Sequence, residues 1–289
     1  MHTLENEFLK VKINSIGAEL HSIYNKKNTT EYLWQGDPDI WASRAPVLFP
    51  IIGGLKEGTY AYKGQSYELP KHGFIRYNED LVVDQPAETK VTFSLQDSAE
   101  TLKIYPFHFR FEVTYELIEN QLKVSHQITN RGNTTMYFSV GGHPAFNCPL
   151  YEDEVYTDYY IQLQNGTGAK SHVLNKEGLI SNQTIAIFED DKIKLTPNLF
   201  DNDALIFKQI NAGKATLSHN NKGPILSVDF KDFPDLGIWA KPNAPYVCIE
   251  PWLGYADVEN TNQNLEEKEG IQQLPAKEIH HSSYTITVY

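Results

Sequence analysis

Eleven residues, Phe107 to Leu117, alternate without a break. Phe107, Phe109, Phe111, Val113, Tyr115 and Leu117 are apolar, and His108, Arg110, Glu112, Thr114 and Glu116 between them are polar. A period of two describes a strand with one buried and one wet face. Glu119-Asn120 reads as a tight turn, after which Leu122, Val124 and Ile128 alternate with Lys123, Ser125, Gln127 and Thr129. Asn130-Arg131-Gly132-Asn133 turns the chain again. A third run, Thr134 to Val140, leads into Gly141-Gly142-His143-Pro144. The pattern predicts three consecutive antiparallel strands that deliver His143.

The same texture recurs along the chain. Lys10–Ile16, Ala18–Tyr24 and Val91–Leu95 are short strand-like runs, Leu226, Val228 and Phe230 alternate, and so do Tyr284, Ile286 and Val288. No stretch carries sustained helical periodicity with caps. Many short strands at close spacing predict an all-β sandwich or barrel. Without a linker or internal repeat, the expectation is one large sandwich over residues 1–289.

Composition narrows the function classes. Hydrophobic residues are 40% and charged residues 21%, which is an ordinary globular balance. Acidic side chains outnumber basic ones 37 to 25, for a net charge of −12. That charge argues against nucleic acid or an anionic membrane as partner. No run of apolar residues is long enough to span a bilayer as a helix, and the N-terminus lacks a signal peptide's basic and apolar regions. Cys148 and Cys248 have no metal-ligand spacing and make no disulfide framework, so reduced thiols in a cytoplasmic protein are expected.

Two chemically useful residues precede prolines. His143 follows two glycines, and Glu250 ends Tyr246-Val247-Cys248-Ile249-Glu250-Pro251-Trp252. Proline holds the residue before it in an extended backbone, so both side chains project from strand ends with little local freedom. Period two puts Tyr246, Cys248 and Glu250 on one face and Val247 and Ile249 on the other. The plainer readings are a His-Pro turn and an exposed strand-end glutamate. His72, in Lys71-His72-Gly73, is a loop histidine or a site residue. Arg44 is one of only four arginines and precedes a Pro-bounded apolar run.

Four motifs occur in order: Arg44-Ala45-Pro46-Val47-Leu48-Phe49-Pro50-Ile51-Ile52-Gly53, Lys71-His72-Gly73-Phe74-Ile75-Arg76, Gly142-His143-Pro144-Ala145-Phe146-Asn147 and Cys248-Ile249-Glu250-Pro251-Trp252. Together they resemble the aldose 1-epimerase (galactose mutarotase) superfamily, in its shorter LacX-like branch, over nearly the whole chain. The resemblance implies a large antiparallel β-supersandwich whose open sheet face binds a sugar. It implies interconversion of α and β anomers through the open-chain aldehyde. Glu250 would then be the base at O1 and His143 the acid at O5, with His72 helping to bind and polarise the ring. Arg44 and Asp203 would contact sugar hydroxyls. Where the family's galactose mutarotases follow the histidine with Thr-Tyr-Phe-Asn, this chain has Pro144-Ala145-Phe146-Asn147. That departure brings it nearer the branch that includes hexose-6-phosphate 1-epimerases.

The first reading is therefore an aldose 1-epimerase acting on a small-molecule hexose, as a monomer or homodimer, without a cofactor. A hexose-6-phosphate 1-epimerase is the near alternative, for which Arg44, Lys71 and Arg76 are the cations to hand. A non-catalytic carbohydrate-binding sandwich is a different class, served by Trp34, Trp41, Trp239 and Trp252. A metal enzyme built on His72, His143 and Glu250 is a third class. No His-x-His or His-x-x-x-His spacing preorganises such a site, and no metal is expected.

Overall fold

A computed structural model describes residues 1–289. Two large antiparallel sheets supply most of it. The first has nine strands, from Lys192–Lys194 at one edge to Val82–Ala87 at the other. Its middle is Gly223–Asp229, Ile279–Val288, Gln121–Asn130, Phe109–Ile118 and Lys90–Gln96, in that spatial order. The alternation read from the sequence is what forms these strands: Phe109, Phe111, Val113, Tyr115 and Leu117 are buried, and Arg110, Glu112, Thr114 and Glu116 are half-exposed. Each such buried side chain contributes roughly 1.5–3 kcal/mol.

The second sheet has eight strands and carries the candidate site. It runs from Ile180–Ala186 through Lys170–Leu174, Leu205–Phe207 and Asp235–Trp239 to Tyr246–Leu253. Beyond Tyr246–Leu253 lie two short strands, Val140–Gly142 and Ala145–Asn147, with Val47–Leu48 at the edge. All eight residues of Tyr246–Leu253 are buried, so burial shows no alternation along this strand. One continuous hydrophobic core of 70 buried residues draws on both sheets and on the N-terminal strands.

The three-strand delivery of His143 needs correction. Phe109–Ile118 and Gln121–Asn130 do pair antiparallel, but the third run breaks in two. Met136–Phe138 pairs with Gln272–Leu274 in a small two-stranded sheet, and Val140–Gly142 joins the eight-stranded sheet. The chain thus leaves one sheet and enters the other just before His143. The only α-helix is Ala99–Ile104, closed at its N-terminus by a Ser98–Thr101 capping box. No helix is long and apolar enough to cross a membrane.

Candidate active site

Two short strands flank the His143-Pro144 interruption, and both pair with Tyr246–Leu253. Gly141 lies opposite Trp252 on one side of the break, and Ala145 lies opposite Cys248 on the other. The register is the same on both sides, so it sets His143 directly across from Glu250. Cross-strand neighbours share a face, and the side chains meet: His143 Nε2 is 3.2 Å from Glu250 Oε2. The contact is poorly aligned for a hydrogen bond, which leaves Oε2 without one. Pre-proline geometry is only part of what holds His143. Its N–H donates to the Pro46 carbonyl at 3.1 Å, and Ala145 N–H donates to Arg44 O at 2.9 Å.

Glycines make this close packing possible. On the far side of Glu250 the register partner is Gly237, where a Cβ would stand 2.5 Å from the Trp252 ring. Gly73 has a φ of +74°, and a Cβ there would be 2.1 Å from the Phe49 carbonyl oxygen. That turn carries His72, itself at a φ of +69°. His72 is tied to Gly53 twice: its N–H donates to Gly53 O at 2.9 Å, and its Nδ1 accepts from Gly53 N–H at 3.1 Å. Because Nδ1 accepts, the neutral ring carries its proton on Nε2.

His72, His143 and Glu250 line one cleft of about 630 Å³. The His72 and His143 ring centroids are 5.6 Å apart, and Trp41 lies over His143 at 5.2 Å. Trp239, Trp252, Lys71, Arg76 and Asp203 also line it. Burial dominates the electrostatics. It pushes the Glu250 carboxyl well up, an effect that the Asp203 charge reinforces and Lys71, the Trp252 N–H and Arg76 oppose. It pushes His143 down to about 3, with Arg76 and Lys71 adding to the fall. His72 also falls well below the ordinary imidazole value, by burial and then by the neighbouring His143, Lys71 and Arg76. Burial thus favours the uncharged form of all three side chains.

The geometry sorts the residues singled out in the sequence. His72, His143, Glu250 and Asp203 come together. Arg44 does not: its guanidinium packs where a Cβ on Gly36 would stand, with the carbon Cζ 2.8 Å from that point, outside the cleft lining. Its backbone is what serves the site, holding Ala145 through its carbonyl while Glu19 Oε1 accepts its N–H at 2.7 Å. Arg76 is the arginine that lines the cleft. Cys248, with no metal-ligand spacing in the sequence, stands beside the pair. Its sulfur, a His143 ring nitrogen and a Glu250 oxygen all lie within 4.8 Å of one another.

The aldose 1-epimerase family model matches residues 1–283. The chain belongs to the aldose 1-epimerase family. Two LacX proteins of Lactococcus lactis subsp. lactis, one plasmid-borne and one chromosomal, are each 34% identical over 297 residues. Each match covers 99% of this chain and 98% of the LacX protein. Among solved structures, a galactose mutarotase related enzyme from Lactobacillus acidophilus superposes with a TM-score of 0.93 at 37% identity. That match covers 100% of this chain and 97% of the other. A galactose mutarotase-like protein from Lactobacillus casei gives 0.94 at 31% identity, with both chains covered completely. The two-sheet architecture is thus the β-supersandwich of this family of carbohydrate epimerases.

Proposed function

We propose that this protein is a hexose 1-epimerase in which Glu250 and His143 open and close the sugar ring. The observation that carries the reading is their 3.2 Å approach in a buried cleft. O1 and O5 are both bonded to the anomeric carbon, so the groups that serve them must be neighbours. Proton transfer across the contact turns the neutral resting pair into carboxylate and imidazolium, a state that sugar hydroxyls favour by hydrogen bonding to the carboxylate. Glu250 then takes the O1 proton while His143 gives one to O5. The C1–O5 bond breaks and C1=O1 forms. Rotation about C1–C2 and the reverse steps yield the other anomer. His72 Nε2–H is the neutral donor available to a sugar oxygen. Trp41, Trp239 and Trp252 offer apolar walls to the ring, and Arg76 and Asp203 polar groups to its hydroxyls.

One observation favours a phosphorylated hexose as the second reading. Lys71, Arg76 and Lys176 all line the cleft, and none of them forms an ion pair with an acidic side chain. Unpaired cations at a cleft rim suit a phosphate. The test is anomerisation, followed by polarimetry or NMR, of freshly dissolved α-glucose, α-galactose and their 6-phosphates. Glu250→Gln is expected to slow the reaction by roughly 10²–10⁴-fold while sugar binding survives. Wild-type protein that binds these sugars yet leaves every spontaneous rate unchanged would identify a binding module instead.

A further inference from the structure

We propose that His143, Cys248 and Glu250 form a binding site for a thiophilic divalent cation of the zinc type, whose occupancy blocks the acid/base pair. Cys248 lies two residues before Glu250 on the same strand, so both face His143. One ligand atom from each, a ring nitrogen, a thiol sulfur and a carboxyl oxygen, falls within 4.8 Å of the other two. Zinc bonds of about 2.0–2.3 Å to nitrogen, oxygen and sulfur set neighbouring tetrahedral ligands roughly 3.5 Å apart. The Nε2–Oε2 edge between His143 and Glu250 already matches at 3.2 Å. Glu250 Oε2 is buried and unbonded, with a lone pair free for a metal.

Charge balance makes binding feasible in so dry a place. A thiolate and a carboxylate carry two negative charges between them, which one dication cancels while the imidazole stays neutral. The occupied site therefore adds no net charge to the buried region. His143 and Glu250 also line the cleft, the side from which a cation can enter. Two features keep the affinity moderate. Lys71 and Arg76 repel a cation, and His143 Nδ1 has no partner to orient the ring, support that ordinarily strengthens a metal histidine 10–100-fold. The site therefore suits a reversible brake better than a resident metal.

Binding is independent of the epimerase reading; only the braking rests on it. The experiment titrates the purified protein with Co²⁺ as probe. We expect a near-ultraviolet thiolate-to-cobalt band and its displacement by Zn²⁺. Cys248→Ser and Cys248→Ala should both lose the band, while Cys148→Ser keeps it. In anomerisation assays, with each protein scored against its own zinc-free rate, the two Cys248 variants should need at least tenfold more Zn²⁺ than wild type for half-inhibition. Absence of the band in wild type, its persistence in folded Cys248 variants, or equal zinc sensitivity in all proteins overturns the proposal. A band with no epimerase activity would keep the metal site and remove only the brake.

Discussion

Arg76 lines the cleft with its guanidinium 4.7 Å over the Tyr77 ring and one N–H donated to Ser43 Oγ at 3.2 Å. Its Nε–H is buried and unbonded, so hydrogen-bonding capacity is left over. A hydrogen bond to a charged group is worth about 1.5–3 kcal/mol, or roughly 10–100-fold in binding. Arg76→Ala is expected to raise the KM for the sugar by that factor with a smaller change in kcat. Arg44→Ala should leave KM within about twofold and cost some stability through the lost packing over Gly36. Equal KM effects in the two variants would show the wrong arginine has been placed at the sugar. Arg44 stands out in the sequence because it opens a recognisable motif, yet its side chain lies outside the cleft lining. Arg44 lies in a loop and Arg76 on the single 3₁₀ turn Ile75–Tyr77, and only tertiary packing decides where such side chains point. Cys248 shows the converse. Its face was legible from the strand period, but its closeness to His143 depends on a register between segments a hundred residues apart.

Among lysine and arginine ion pairs, only Lys268–Asp257 has both side chains buried, at 4% and 3% exposure, with Nζ 2.8 Å from Oδ1. Desolvation makes such a pair a weak source of net stability, so its geometry is the informative part. Asp257 Oδ2 accepts the Lys56 N–H at 2.9 Å, and Asp257 N–H donates to Gly54 O at 3.0 Å. The pair thereby clamps the loop whose Gly53 holds His72. Asp257→Ala, which strands a buried lysine, is expected to cost about 3–5 kcal/mol in urea unfolding. Asp257→Leu combined with Lys268→Met should recover most of that stability but keep a several-fold deficit in kcat, because Lys56 N–H stays unanchored. Full recovery of the rate would reduce the pair to a structural role. None of this was visible beforehand, since isolated Asp and Lys residues in turns carry no periodic signal. The nine-stranded sheet was legible because one face of its central strands is partly wet. Tyr246–Leu253 is buried throughout, so its polarity does not reveal which sheet it joins. The sheet switch before His143 was hidden for a similar reason, as Met136–Phe138 and Val140–Gly142 are buried at every position.

A molecule this deeply layered traps histidines without charge, and its stability should depend on pH accordingly. His126 fell in phase with Leu122, Val124 and Ile128 in the sequence, and it is buried among Phe111, Phe233 and Tyr284. Neither ring nitrogen has a protein partner. Burial, with some help from His280, pushes it down to about 3. His143 and His72 are depressed as well. The unfolded chain binds protons at these rings below the ordinary imidazole value of 6.5, and the folded chain does not. Stability is therefore whole above that value and falls as the pH drops toward 3. Glu250 works the other way: its raised value means the unfolded state ionises first, so it costs stability as the pH rises above 4.5. His126→Leu isolates one histidine from this sum without touching the cleft. Each proton difference is worth about 1.4 kcal/mol per pH unit. Between pH 7.5 and pH 5, wild type should lose about 2 kcal/mol more than His126→Leu in urea melts. At pH 7.5 the variant should be as stable as wild type or more so, since it removes two unpaired polar atoms from apolar surroundings. Parallel stability curves for the two proteins across that range would mean that His126 takes up its proton in the folded state, and that the core around it is wetter than its packing indicates.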